Sequence, residues 1–430
     1  GSTNIAFGQG TLGVNTTGNT NIALGNNSLY NNTIGNNNIA LGDKVLGGNI
    51  SGNDNISLGY RSLNGNTTGY NNIALGNKAL NRNSTGHNNI AQGYKSLHYN
   101  TTGFQNIALG NNSLYSNITG RSNIALGASA LNANTIGANN IALGDNTLLY
   151  NSTGINNIAQ GNNALFYNTS GSNNIALGIN SLSYNTTGNY NVALGASTLL
   201  YNTTGNHNTA LGYGALFYNT TGYNNVALGY GTLYNNTTGN NNTALGYYAL
   251  NANTTGYSNV ALGQSALNAN TIGANNIALG SGALSYNTTG NYNIAQGSYA
   301  LQKNTSGYNN IALGQSALLY NTTGNHNSAL GSYALSANTS GSNNIALGYN
   351  ALNANTTGSF NTGLGYNVQS GNFSGSVILG ASAAATTDGQ MALGSSTSPL
   401  GPVVVESLTS NKTLQINLNG SLYKMMLYKA

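Results

Sequence analysis

The sequence predicts an all-β protein: a parallel β-solenoid, or β-roll, of 17-residue turns that forms a homotrimeric fibre with a small C-terminal β-hairpin cap. Three observations lead there. Asn-Ile-Ala-Leu-Gly, complete at residues 21–25 and in variant form from Asn4, returns in phase as far as Asn361. Since 361 − 4 = 357 = 21 × 17, the chain holds 22 turns with no insertion or deletion between them. A fixed short period of this kind is the signature of a solenoid. Ile-Ala-Leu alternates large, small, large, as a strand with one packed face does. Two glycines recur in each turn, and at about 1 kcal/mol each they weigh against a helix.

Composition narrows the class. Charged residues make up 3% of the 430, where about a quarter is usual for a soluble globular protein. The chain has no cysteine, so stability must come from stacking and the redox compartment cannot be read. A net charge of +5 from ten Lys+Arg and five Asp+Glu is too sparse for a nucleic-acid footprint. No apolar run approaches the roughly 18 residues that cross a membrane, and no signal-peptide pattern stands at the start. The sequence opens at Gly1, on the repeat's second glycine position, as an array does when it begins within a longer protein.

Counting each turn from its Asn as position 1, position 2 is Ile or Val in 18 turns and position 3 is Ala in 20. Position 4 is usually Leu, and position 5 is Gly in all 22. Position 8 is small or β-branched, and position 9 is Leu in 21 turns. Positions 12 to 15 read Asn-Thr-Thr-Gly or close to it. The expected turn has two short strands, positions 2–4 and a second around positions 8 and 9, cornered by the glycine at 5. Asn-Thr-Thr-Gly closes the turn, with Asn bonding its own backbone and Gly supplying φ > 0. Turns about 4.8 Å apart stack identical residues into ladders, each turn pairing only with its neighbours.

Three large apolar groups per turn, at 2, 4 and 9, are few for a free-standing solenoid, so several chains are expected to share the burial. Position 4 becomes Gln at Gln92, Gln160 and Gln296, and position 2 becomes Thr209, Thr243, Ser328 and Thr362. An unpaired Gln inside one chain's core would cost several kcal/mol. The expectation is that Leu at 9 forms the core within a chain and that positions 2 and 4 face a three-fold axis, where the glutamines form polar rings. The alternative is that they stack on a solvated wall. The shaft is assigned to residues 1–394, a linker with Pro399 and Pro402 to 395–402, and a β cap to 403–430. In the cap, residues 403–407 read as a strand, and Asn419-Gly420 between two apolar runs is a strong hairpin signal. Such a cap covers the open strand edge of the last turn; Met425 and Met426 are expected in its core.

Catalysis finds little support. The acids Asp43, Asp54, Asp145, Asp388 and Glu406 are scattered, and His87, His98, His207 and His326 are never paired at metal-ligand spacing. No enzyme activity, metal or cofactor is expected. For binding, position 7 is basic in four consecutive turns, at Lys44, Arg61, Lys78 and Lys95, with Arg82 and Arg121 on nearby loops. Such a row can hold phosphate or an acidic sugar, or simply keep a near-neutral rod solvated. Tyr150, Tyr167, Tyr184, Tyr201 and Tyr218 repeat at the end of the second strand, an aromatic row suited to sugar rings or to ladder stacking. Asn at position 12 opens an Asn-x-Thr/Ser sequon in 19 turns, Asn15, Asn66 and Asn100 among them, although the turn itself already calls for Asn.

The Asn-Ile-Ala-Leu-Gly repeat resembles the Asn-Ser-Val-Ala-Ile-Gly repeat of YadA-type trimeric adhesin heads. The resemblance implies a left-handed parallel β-roll assembled as a homotrimer, with shorter turns than these. The last two steps, Asn361 to Ser376 and Ser376 to Gln390, contract to 15 and 14 residues, towards the family's turn length. The tandem Asn-Thr-Thr-Gly arrays also look like those of phage and giant-virus tail fibres, whose tips end in segments like residues 419–428. Both resemblances imply an extracellular fibre or adhesin, on a virion or a cell, that reaches a cell-surface glycan or receptor through many weak contacts. Two alternatives stay open: a passive spacer, and an ice-binding solenoid. The second is disfavoured because adjacent Thr side chains at 13 and 14 point opposite ways.

Overall fold

A computed structural model describes residues 2–395 and the two strands Thr413–Leu418 and Ser421–Met426. Its shaft is the expected parallel β-solenoid. Twenty-four strands of three residues, from β1 (Ile5–Phe7) to β24 (Met391–Leu393), form one continuous sheet. Each pairs in parallel with the strand one turn on, so that Ile22 faces Ile39, Ala23 faces Ala40 and Leu24 faces Leu41. Twenty-three steps of about 4.8 Å give a rod on the order of 110 Å long.

Each turn holds one strand, and here the structure corrects the two-strand expectation. Positions 6 to 11 form a chain of tight turns. These still bond from turn to turn: the Leu29 amide donates to the Val45 carbonyl at 3.0 Å and the Asn31 amide to the Gly47 carbonyl at 3.1 Å. The reason lies in the backbone of Leu at position 9. Its φ is between 49° and 53° in all 21 turns that carry it. The left-handed region costs an L-residue roughly 1–2 kcal/mol, whereas full burial of a Leu returns roughly 1.5–3 kcal/mol. Burial wins, because the bend aims the side chain at the axis of the coil, where each Leu from Leu29 to Leu352 is fully buried.

The two glycines have different reasons for being glycine. At position 5 the backbone turns the corner with a positive φ, 131° at Gly195. At position 15 φ is not positive in the regular turns, so that expectation also gives way. A Cβ at Gly205 would meet its own turn's Asn202 Oδ1, the Gly222 carbonyl oxygen and Asn219 Nδ2. Close approach demands glycine there.

The interior is narrow. Ala at 3, the small residue at 8 and Leu at 9 fill it, and two asparagine ladders run alongside. Asn66 Nδ2 donates to Asn49 Oδ1 one turn back (2.7 Å) and to the Gly69 carbonyl of its own turn (2.9 Å). At position 1, Asn208 sends both its backbone amide and its Nδ2 to Asn191 Oδ1 at 3.1 Å, and Nδ2 also to the Gly222 carbonyl. The laddered amides thus find partners above, below and within the turn, which is what makes a polar interior tolerable.

Positions 2 and 4 point outward, as the alternation requires with Ala inside. The outcome is a stripe of partly exposed Ile, Val and Leu along the sheet, with Ile345 51% and Leu347 44% exposed. At the contracted end Val368 and Ile378 enter the core, and Gln369 takes the place of Leu, bonding Asn353 and Asn367. Thr413–Leu418 and Ser421–Met426 pair antiparallel, Thr413 opposite Met426 and Leu418 opposite Ser421. The turn expected at Asn419-Gly420, the strand at 403–407, most of the 395–402 linker and the side chains of Met425 and Met426 lie outside the described residues.

Candidate functional site

Variation along the shaft is greatest at positions 6, 7, 10, 11, 16 and 17, and the candidate cationic and aromatic contacts stand there. Position 7 is a left-handed corner, with φ of 57° at Lys44, 53° at Arg61, 59° at Lys78 and 52° at Lys95. Because the corners superpose turn on turn, the four cations do form one row, half-buried along their stems. Aromatic rings lie against two of them. The Arg61 guanidinium lies 5.3 Å from the Tyr60 ring centre, and Lys95 Nζ lies 5.1 Å from that of Tyr94. Arg82, at position 11, sits 4.6 Å over Tyr99. Arg121 stands apart from this row, 6.0 Å over Phe104 at the end of a Tyr70–His87–Phe104 stack.

His98 is a member of this patch that sequence spacing did not reveal. At position 10 most side-chain amides reach back to the position-7 carbonyl, as Asn81 Nδ2 does to Arg61 at 2.7 Å. His98 repeats that bond with Nδ1–H donating to the Lys78 carbonyl at 3.1 Å. Burial, chiefly, holds its pKa below the ordinary imidazole value; Arg82, Lys95 and Lys78 press in the same direction, and the backbone bond opposes them. The ring also stacks on Tyr115 at 5.4 Å.

The tyrosine row is real but stands on turns, at position 11, and not at the end of a strand. Tyr150, Tyr167, Tyr184, Tyr201 and Tyr218 stack in sequence with centroids 5.5, 5.1, 4.9 and 5.4 Å apart, their rings about two-fifths exposed. Phe166 and Phe217, at position 10, meet the row edge-on. Between the rows the side chains enclose shallow clefts; one of about 290 Å³ lies among Tyr167, Tyr184 and Tyr201. Burial, first, and the neighbouring phenols after it push the Tyr234 hydroxyl above the usual phenol range.

Gln92, Gln160 and Gln296 stand exposed on the outward face of the strand, within the apolar stripe. The sequons lie elsewhere. Asn66 and Asn100 are fully buried with Nδ2 engaged twice, and Asn15 Nδ2 bonds the Gly18 carbonyl at 3.0 Å. A sugar on Nδ2 would break the ladder, so the folded shaft does not accommodate glycans at these positions. Among the described residues no three His, Cys, Asp or Glu side chains gather as a metal site, and no helix is long and apolar enough to cross a membrane.

The side chains on offer are therefore stacked phenols, amides and a short cationic row, arranged as repeating shallow surface. Such a surface offers contact area and charge rather than a deep pocket among the described residues. Comparison with protein-family models, curated proteins and solved structures found no match to this chain.

Proposed function

We propose that this chain is the shaft of an extracellular fibre or adhesin, assembled as a homotrimer, that attaches to cell-surface glycans by many weak contacts. The carrying observation is the separation of two faces. Positions 2 and 4 expose an apolar stripe over the whole rod, far longer than the patches of a few hundred Å² that monomers usually leave bare. Positions 6, 7, 10 and 11 display rings, amides and cations on other walls of the turn. Three chains packed through the stripe would bury it, keep the decorated walls outside and let the exposed amides of Gln92, Gln160 and Gln296 bond one another. Sites too weak singly would then gain avidity by repetition. The strands of residues 413–426 act in this reading as cap and registration device, and the role is structural rather than catalytic.

Light scattering on the 430-residue chain tests the assembly. Three times 43.9 kDa is 131.7 kDa, the expected mass. A stable 43.9 kDa species would overturn the trimer and leave a single-chain solenoid. Binding to whole cells tests attachment separately, since a passive spacer should show none. Ice binding loses support from the Thr geometry. Thr203 Oγ1 at position 13 is engaged with the Thr220 carbonyl at 2.9 Å and Thr203 is half-buried, so position 14 is the more exposed of the two files and no flat double Thr plane forms.

A further inference from the structure

The shaft carries a cleft that belongs neither to the basic row nor to the Tyr150-to-Tyr218 stack. It opens beside Gly231, where position 7 lacks a side chain as it does one turn earlier at Gly214; their φ are 61° and 64°. Tyr213 and Tyr230, at position 6, stack above one another with centroids 5.4 Å apart and are about half exposed. Tyr248 meets Tyr230 edge-on at 5.5 Å and leans over the vacated corner: a Cβ on Gly231 would stand 2.6 Å from its ring. Tyr234 closes the other side, stacked at 4.8 Å on Phe217. The space enclosed is about 570 Å³.

Its polar lining is oriented in advance. Asn251 Nδ2 donates to the Gly231 carbonyl at 2.8 Å and Asn268 Nδ2 to the Tyr248 carbonyl at 3.0 Å. Each amide is thereby fixed and has its Oδ1 left to accept a hydroxyl. No Lys, Arg, Asp or Glu occurs between Asp145 and Lys303, so the cleft lies in the middle of a charge-free part of the rod.

We infer that this cleft binds a short neutral oligosaccharide. A pyranose has an apolar C–H face that fits an aromatic ring and a rim of hydroxyls that fits amide oxygens and phenols. A charge-free wall gives an anionic sugar no advantage here, in contrast to the row at Lys44, Arg61, Lys78 and Lys95. The inference rests on the attachment reading and is independent of the trimer.

The array supplies its own substitutions for a test. Ser stands at the position of Tyr234 in other turns, as Ser183 and Ser285, and Asn stands at that of Gly231, as Asn146, Asn163 and Asn180 with φ near 57°. Tyr234→Ser and Gly231→Asn should therefore fold; circular dichroism and melting of each variant confirm it. Saturation-transfer NMR on the full chain with maltohexaose, cellohexaose and mannohexaose is expected to show at least one of them binding. Tyr234→Ser should weaken that binding about tenfold. Gly231→Asn should abolish it by driving the Tyr248 ring into the cleft. Binding by none of the three, or equal binding by both folded variants, overturns the assignment. Adhesion of the intact chain to cells, measured in parallel, separates the two failures: adhesion without oligosaccharide binding sinks the cleft alone, whereas loss of both sinks attachment as well.

Discussion

The inside and the outside of each turn follow opposite rules. Inside, at positions 1, 3, 5, 9, 12 and 15, the residue scarcely changes over 22 turns. Outside, at positions 6, 7, 10, 11, 16 and 17, nearly anything is found, from Gly and Ser to Tyr, Lys and His. The difference is one of who the neighbours are. An interior side chain touches its copies above and below, so a change at one level leaves two partners unsatisfied. A side chain on the rim meets water on one side and can vary at small cost to the stack. The shaft is thus a fixed scaffold with a variable surface, and function has to be sought on the surface.

The largest break in that contrast should come from Gly205→Ala. A methyl there meets backbone and amide atoms on three sides, none of them a flexible tip. The expected loss is roughly 4 kcal/mol or more, local to that turn; limited proteolysis should reveal a new cut near residue 205. Leu216→Ala comes next, at roughly 2–5 kcal/mol for a fully buried Leu. Since energies in such arrays belong to neighbouring turns and not to the whole rod, hydrogen exchange around residues 199–233 is the measurement that reads it. Asn202→Ala removes three bonds, leaving Asn185 Oδ1 without its donor and Asn219 Nδ2 without one of its two acceptors, which is expected to cost roughly 1–3 kcal/mol. Equal stability of wild type and Asn202→Ala would show that the ladder is not what holds the turns.

Rim substitutions should be milder. Tyr184→Ser breaks two ring stacks, worth roughly 0.5–1.5 kcal/mol each beyond area, and the melting temperature should fall only slightly. The smallest effect concerns acid. With its pKa depressed in the fold, His98 is held neutral; the unfolded chain takes up a proton near pH 6.5 while the folded one resists. Stability is therefore complete above about pH 6.5 and declines as pH falls through the folded value. His98→Asn, which restores the amide of Asn81, should flatten that decline, as a pair of melts at pH 7.5 and pH 5 would show.

Much of this was legible in the chain itself. The period gave the stacking axis, the invariant Leu marked the core, and Ala between two large residues showed which side of the strand faces inward. The substitutions Gln92, Gln160 and Gln296 already placed positions 2 and 4 outside a single chain's core. Periodicity is one-dimensional information, and these are one-dimensional properties: which residues recur decides which residues stack.

What the sequence left undecided was the shape of the turn, because that depends on how seventeen residues close on themselves. Leu at position 9 has no preference for a left-handed backbone and adopts it, since that bend delivers its side chain to the axis. Gly at position 15 looks like a residue chosen for φ and is chosen for space, because the carbonyl it must admit belongs to the next turn. His98 against Lys78, and Tyr248 over Gly231, are likewise meetings of residues 20 and 17 positions apart in the sequence. The sequence by itself determined the repeat and the division between inside and outside; the closed coil alone decided the corners, and with them which rings, amides and cations stand side by side.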